Sequence, residues 1–364
     1  MIGFLKKALD NWPNSDLLLD DAEANAFKHE APRLFRVLHF EKLQKEFREH
    51  DVKAMALKDK THGRARTAVA FSIFGSTLLA ISAFIPLEWL TPWISRIALL
   101  CTIVSLIWIG WQSFWGGNTR SEWLKLRYHC ERLRQFHFQY IIQNWNAAIA
   151  AMDGGDDLNA FQKKRNTALK ELSTSLGNSN HRYKEAINDI AQKKLWMCEK
   201  PDSEGSPELL SEDASDMLHA FHELRIGIQL RYSNENLRED RRGAGAKANL
   251  VEVAFRALPW MLLIFATIAF ITSFNDQVWH TMSSVISIII GAMALSAGVF
   301  IKVDRAIEER DRNEAYHARL LTLEAEFKSG SPEVKYAILR QMEAVSYEEM
   351  QSFLKTHERE TTLL

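Results

Sequence analysis

Four long stretches of this chain contain no Asp, Glu, Lys or Arg: residues 67–85, 97–115, 257–274 and 277–301. Each is about 18–25 residues long, and a helix rises about 1.5 Å per residue, so each matches a hydrocarbon core about 30 Å thick. Short segments separate the first stretch from the second and the third from the fourth. The sequence therefore predicts two transmembrane helical hairpins.

Basic residues flank both hairpins at their outer ends, whereas the hairpin tips carry Arg96 alone. Lys and Arg near the ends of spans favour the cytoplasmic side of a membrane. The flanking residues are Lys58, Lys60, Arg64, Arg66, Arg120, Lys125, Arg127, Arg132, Arg134, Arg238, Arg241, Arg242, Lys247, Lys302, Arg305, Arg310 and Arg312. We expect a multi-pass membrane protein, with both termini and the middle region in the cytoplasm.

The segments that flank the first hairpin show apolar residues at spacings of three and four, which is typical of packed helices. We expect these two helices to form a coiled pair through Phe40, Leu43, Phe47, Trp123, Leu126 and Leu133. A fainter stripe precedes the second hairpin and contains Leu218, Phe221, Arg225, Ile228 and Tyr232. The predicted fold class is an all-α membrane protein, with two transmembrane hairpins and long cytosolic helices that form a coiled helical bundle.

The same layout of helix, hairpin and helix divides the chain into four predicted parts. Residues 1–146 carry the first hairpin, 147–215 a helical insert and linker, 216–330 the second hairpin, and 331–364 the C-terminal helices. Within the insert, 158–176 and 181–197 are predicted helices. Ser331 and Pro332 begin a short C-terminal helix, and a capping box at 346–349 predicts that another begins there.

Candidate catalytic and metal-binding groups are few, and we expect no enzyme, no cofactor and no metal. His219 and His222 lie three residues apart on a predicted helix, yet no third ligand follows from spacing. His50 and His137 lie in the apolar stripes and could form a pH-sensitive pair, although ordinary packed histidines are the default reading. A formal net charge of −1 argues against a nucleic-acid partner.

Small residues lie on single faces of the first and fourth uncharged stretches, at the spacing that lets membrane helices approach closely. The same residues could instead line a narrow pore in an oligomer. The candidate packing or pore-lining residues are Ser72, Ser76, Ala80, Ser287, Gly291, Ala292, Ser296 and Gly298.

Two segments carry a family resemblance: KDKTHGRAR before the first hairpin and SEWLKLRYHCERLRQFHFQY after it, the latter containing Glu131, Leu133, Arg134, Phe136 and Phe138. With these segments, residues 33–145, and more loosely 216–328, resemble the SLATT family of bacterial conflict systems. In that family a two-span hairpin is bracketed by cytosolic helices. This chain differs from the simplest members in having two hairpins and a helical insert.

The resemblance implies a membrane effector of an antiphage system that forms homo-oligomers and permeabilises or depolarises the inner membrane when infection is sensed. It also implies that the partners are the lipid bilayer and either a nucleotide second messenger or a soluble sensor protein. Two other functions stay open, a non-enzymatic membrane scaffold for a cytosolic partner and a small housekeeping ion channel. Toxicity on expression would favour the effector over the scaffold.

Overall fold

A computed structural model of the chain describes residues 15–60, 63, 119–177, 182–198, 205–238 and 306–358. Within these residues the chain is helical and contains no β-strand. The helices are α1 (Asp21–Glu30), α2 (Pro32–Leu38), α3 (41–60), α4 (119–143), α5 (Trp145–Ala151), α6 (Gly155–Gly177), α7 (Arg182–Ile187), α8 (Glu212–Phe221), α9 (Ile228–Leu237), α10 (Ala306–Ser329) and α11 (Pro332–Glu358). A 3₁₀ turn at Ser15–Leu17 precedes α1, and a π-helical turn at His222–Gly227 joins α8 to α9.

Local sequence signals explain several helix starts. The Asp20 carboxylate accepts hydrogen bonds from the amides of Ala22 and Glu23 at 2.8 and 3.1 Å, and so caps α1. Ser211 caps α8 in the same way, and Pro332 occupies the first position of α11. The buried residues of α6 recur every three or four positions, which turns one face of this helix to the core: Phe161, Arg165, Leu169, Leu172 and Leu176.

The chain forms two compact units, and the first contains Met1–Ala54, Leu124–Arg241 and Asp311–Arg359. The second consists of Met55–Trp123, Arg242–Arg310 and Glu360–Leu364, most of which lies outside the described residues. The predicted division at 146, 215 and 330 stays a prediction. All contacts discussed below lie within the first unit.

Helices α3 and α4 pack side by side in opposite directions. The His50 ring stacks on His129, Asp51 lies 3.8 Å from Arg127, and Phe47 lies beneath the guanidinium of Arg134. As residue numbers rise along α3, those of its partners fall along α4, so the pair is antiparallel.

Helices α10 and α11 form a second antiparallel pair. The Arg312 guanidinium pairs with Glu349 at 3.1 Å, and the Lys335 ammonium lies over the ring of Phe327. Helix α11 also contacts α4, because the Tyr336 hydroxyl donates to the carbonyl of Ile142 at 2.8 Å. The first unit is therefore a helical bundle assembled from the N-terminal, middle and C-terminal parts of the chain.

The predicted fold class is an all-α membrane protein. The all-helical part of this prediction is confirmed for the described residues, whereas the prediction of membrane-spanning helices is wrong for the helices that the structure describes. None of these helices is both long enough and apolar enough to cross a bilayer. Helices α3, α4, α6, α10 and α11 have sufficient length, yet charged residues recur along each of them. The predicted localisation as a multi-pass inner-membrane protein is corrected on the same finding. The four uncharged stretches at 67–85, 97–115, 257–274 and 277–301 lie outside the described residues.

Two local predictions in the insert and the C-terminal region also need correction. The predicted helix at 158–176 is confirmed as α6, but of 181–197 only Arg182–Ile187 is helical. There the Asp189 carboxylate accepts hydrogen bonds from the amides of Lys193 and Lys194 at 2.9 and 2.7 Å, which closes turns in place of a helix. The capping box at 346–349 starts no helix, because α11 continues through it with Glu343, Val345 and Tyr347 buried.

Candidate functional site

The structure describes only some of the residues singled out in the sequence. The candidate packing or pore-lining set, Ser72, Ser76, Ala80, Ser287, Gly291, Ala292, Ser296 and Gly298, lies outside the described residues. Of the predicted coiled contacts, Leu126 is half-buried and the others are buried: Phe40, Leu43, Phe47, Trp123 and Leu133. Phe47 contacts α4 through Arg134, whereas Phe40 lies 4.1 Å from the guanidinium of Arg165 on α6.

A group of charged side chains, buried except for the half-buried Glu131, joins four distant parts of the first unit and was not identified from the sequence. This ionic cluster consists of Asp16, Glu131, Arg134, Arg225 and Glu343. Asp16 lies in the N-terminal 3₁₀ turn and is fully buried. Its Oδ2 atom lies 3.0 Å from Arg134 Nε and 3.7 Å from Arg225 Nη1. One carboxylate therefore faces arginines from both α4 and the π-helical turn.

Each arginine of the ionic cluster has a second carboxylate. Arg134 Nη1 donates to Glu131 Oε2 at 2.8 Å, one turn earlier on α4. Arg225 Nε donates to Glu343 Oε1 on α11 at 2.7 Å. Positive and negative groups alternate through the ionic cluster, so each buried charge has an opposite neighbour, as buried charges require.

The π-helical turn positions Arg225. Leu224, Arg225 and Ile226 are buried in succession, and the Arg225 guanidinium lies 4.6 Å from the centre of the Phe138 ring. Single π-helical turns inside helices are found frequently at functional sites. Here the turn presents a charged side chain to the centre of the bundle.

Burial and ion pairing shift the pKa values of these groups in opposite directions. Burial raises the pKa of Asp16 and of Glu343, and the neighbouring arginines offset part of that effect. Burial also disfavours the charge of Arg225, but Glu343 and Asp16 outweigh it and raise the arginine pKa. The acidic charges of the cluster therefore depend on the arginines that lie beside them.

The N-terminal turn that carries Asp16 is held in a strained backbone conformation. Leu18 has φ +52°, in the left-handed region that bulky side chains rarely adopt. The Gln44 side chain donates to the carbonyls of Leu17 and Leu18 at 2.8 and 3.2 Å, and Arg48 donates to the carbonyl of Leu19. Helix α3 and the ionic cluster thus fix the same turn from two sides.

The structure pairs His50 with His129, and not with His137 as the sequence suggested. The His50 and His129 rings are parallel with centres 4.7 Å apart. Burial lowers the pKa of both, that of His129 to about 4. His137 is fully buried with its ring edge-on to Phe138, and burial lowers its pKa well below the usual value. All three rings are therefore uncharged at neutral pH.

His219 and His222 do lie on one helical face, with ring centres 6.3 Å apart. His222 contacts Glu223 at 3.1 Å and stacks on Phe327. Among the described residues, no group of three or more His, Cys, Asp or Glu side chains is arranged to hold a metal ion. Burial raises the pKa of the Cys130 and Cys198 thiols to about 12, so neither is an activated nucleophile.

Comparison of the chain with protein-family models, with curated proteins and with solved structures finds no match in any of the three.

Proposed function

We propose that the first unit is a non-enzymatic regulatory module of a bacterial conflict-system effector, held in its resting state by the ionic cluster. The observation that carries this proposal is the burial of Asp16, in a strained N-terminal turn, between Arg134 and Arg225. Strained backbone persists only where its surroundings hold it, and it concentrates at switch regions.

The ionic cluster is suited to such a role because its parts come from distant segments of the chain. Asp16 precedes α1, and Arg134 lies on α4. Arg225 lies in the π-helical turn between α8 and α9, and Glu343 lies on α11. Removing Asp16 leaves Arg134 with Glu131 alone and Arg225 with Glu343 alone, so two buried positive charges each lose one of their two carboxylates. Weakening the pairing of buried charges costs more than losing a surface pair. A partner that displaced the N-terminal turn would therefore disturb all four segments together.

The resemblance to the SLATT family supplies the effector role, and a soluble sensor protein is the proposed partner. Membrane permeabilisation, which the sequence also suggested, forms no part of this proposal, because no described helix can cross a bilayer.

Induced expression in bacteria tests the proposal through the growth rate. Asp16→Asn removes the central charge and is expected to slow growth without any trigger, whereas the unaltered protein is expected to be tolerated. The matched control is Asp21→Asn, the same chemical change at an exposed carboxylate that lies 3.4 Å from Arg48. We expect the control to behave as the unaltered protein does.

Equal growth of the Asp16→Asn and unaltered strains, with equal amounts of folded protein, would contradict the regulatory proposal. A scaffold for a cytosolic partner would then be the better account.

A further inference from the structure

A cavity of about 680 Å³ lies inside the first unit, between α4, α6 and the segment 182–198. Binding sites for small molecules generally have volumes of about 300–1,000 Å³ and combine apolar walls with a few polar groups. This cavity has no part in the ionic cluster or in the proposed regulatory role.

Three basic side chains form part of the cavity wall: Arg132, Lys193 and Lys194. Two carboxylates, Glu171 and Glu185, share the wall, and Glu185 is already paired with the ammonium of Lys194. Lys193 is exposed, and its side chain makes no ion pair with a described residue. The wall therefore has more positive than negative charge available to a ligand.

Arg132 gives the cavity a buried cation that is not neutralised by direct pairing. Its side chain is 4 % exposed, and no carboxylate of the described residues lies within ion-pair distance. Arg132 Nη2 donates to the carbonyl of Lys194 at 2.6 Å and Nη1 donates to Gln135 Oε1 at 2.8 Å. The positive charge of Arg132 therefore has no direct counter-charge among the described residues, and this favours an anion in the cavity beside it.

Aromatic and aliphatic side chains form the rest of the apolar wall of the cavity. Tyr128, Leu172 and Leu176 are buried, and Trp196 is half-buried. The guanidinium of Arg340 lies 5.1 Å from the Trp196 ring, which fixes the indole in place. A ring of a ligand would find apolar partners here, while its charged group would find the basic side chains.

We propose that this cavity binds a small aryl anion, with its phosphate or carboxylate group beside Arg132 and Lys193 and its ring against Trp196 and Leu172. The site stands independently of the proposed effector role, because its evidence is the cavity and its charges.

Calorimetric titration of the purified full-length protein tests this site with four probes. Phenyl phosphate and benzoate carry both an aryl ring and an anion, and they distinguish a phosphate from a carboxylate preference. Inorganic phosphate lacks the ring, and benzyl alcohol lacks the charge. We expect saturable binding of phenyl phosphate or benzoate, about tenfold or more tighter than that of either partial probe. We also expect the affinity to fall as salt rises from about 0.05 M to about 0.3 M.

Three variants connect binding to this cavity. Ala168→Phe places a ring in the space of the cavity and is expected to abolish binding. Lys193→Gln removes a charge from an exposed position and is expected to weaken binding about threefold or more without affecting the fold. Lys170→Gln is the matched control, because Lys170 is also exposed, lies on α6 and is not part of the cavity wall.

Two outcomes would overturn the site. One is the absence of saturable binding for both aryl anions at millimolar concentration. The other is binding that Lys193→Gln and Lys170→Gln change to the same extent. The Lys193 variant keeps the test decisive even if Ala168→Phe does not fold, because it alters only an exposed side chain.

Discussion

Glu343→Gln is expected to be severely destabilising although it replaces only one oxygen by an NH₂ group. Glu343 is fully buried, and its Oε1 accepts a hydrogen bond from Arg225 Nε at 2.7 Å. Breaking a buried ion pair by removing one partner costs about 3–5 kcal/mol, because the remaining charge is left uncompensated. Glutamine keeps an acceptor oxygen and Arg225 keeps Asp16 at 3.7 Å, so the lower end applies. We expect a loss of about 3 kcal/mol, roughly a 150-fold change in the folding equilibrium.

Urea unfolding followed by circular dichroism at pH 7 measures this free energy, and a surface pair provides the control. Glu324 pairs with Lys328 one turn later on α10 at 2.7 Å, with the lysine side chain largely exposed. Glu324→Gln is therefore expected to cost less than about 0.5 kcal/mol.

The double variant Arg225→Met with Glu343→Leu separates pairing from packing. It removes both charges of the pair, so it is expected to be more stable than either single variant. The reasoning is refuted if Glu343→Gln costs less than about 1 kcal/mol. It is also refuted if the free-energy losses of Arg225→Met alone and Glu343→Leu alone add up to the loss of the double variant.

Three further predictions concern other buried groups. Burial lowers the pKa of His129 to about 4, below the unfolded value of about 6.5. The stability that the uncharged His129 contributes is therefore complete above pH 6.5 and is lost as the pH falls towards 4. In His129→Gln the urea midpoint should fall less steeply between pH 6.5 and 4 than in the unaltered protein. An unchanged slope would contradict this prediction. Arg165→Lys should lower the free energy of unfolding by about 1–3 kcal/mol. The Arg165 guanidinium donates to the carbonyls of Val37 and His39 and lies beside the rings of Phe40 and Phe161, and a lysine cannot reproduce these contacts together. A loss below about 0.5 kcal/mol would count against this prediction. Alkylation of Cys130, followed by peptide mass spectrometry, should be at least about tenfold slower in native protein than in urea, since its thiol is buried and has a raised pKa; equal rates would show that the thiol is accessible.

Helix positions could largely be predicted from the sequence, because periodicity and capping are local. The sequence predicted a helix at 158–176, and the structure extends it to Gly155–Gly177. Predictions failed where distant contacts decide the local structure. The capping box at Ser346 does not begin a helix, because Tyr347 and its neighbours bury one continuous face of α11, and this packing favours an uninterrupted helix.

The ionic cluster was only partly visible in the sequence. Arg225 lies in an apolar stripe and Arg134 lies in the segment that resembles the SLATT family, so charged residues at core positions were the available signal. Neither position reveals its partner, because Asp16 is more than a hundred residues from Arg134 and Glu343 is 118 residues from Arg225. The cavity gave no sequence signal either, since its wall comes from three separate segments.

Hydrogen–deuterium exchange of the N-terminal turn tests most directly whether the ionic cluster holds that turn in place. In the Asp16→Asn protein, peptides that cover residues 15–30 are expected to exchange about tenfold faster than in the unaltered protein, because the strained turn loses its central contact. Peptides from the exposed control Asp21→Asn are expected to exchange at the unaltered rate. Equal protection in the Asp16→Asn and unaltered proteins would show that the ionic cluster does not hold the turn, and would contradict the account.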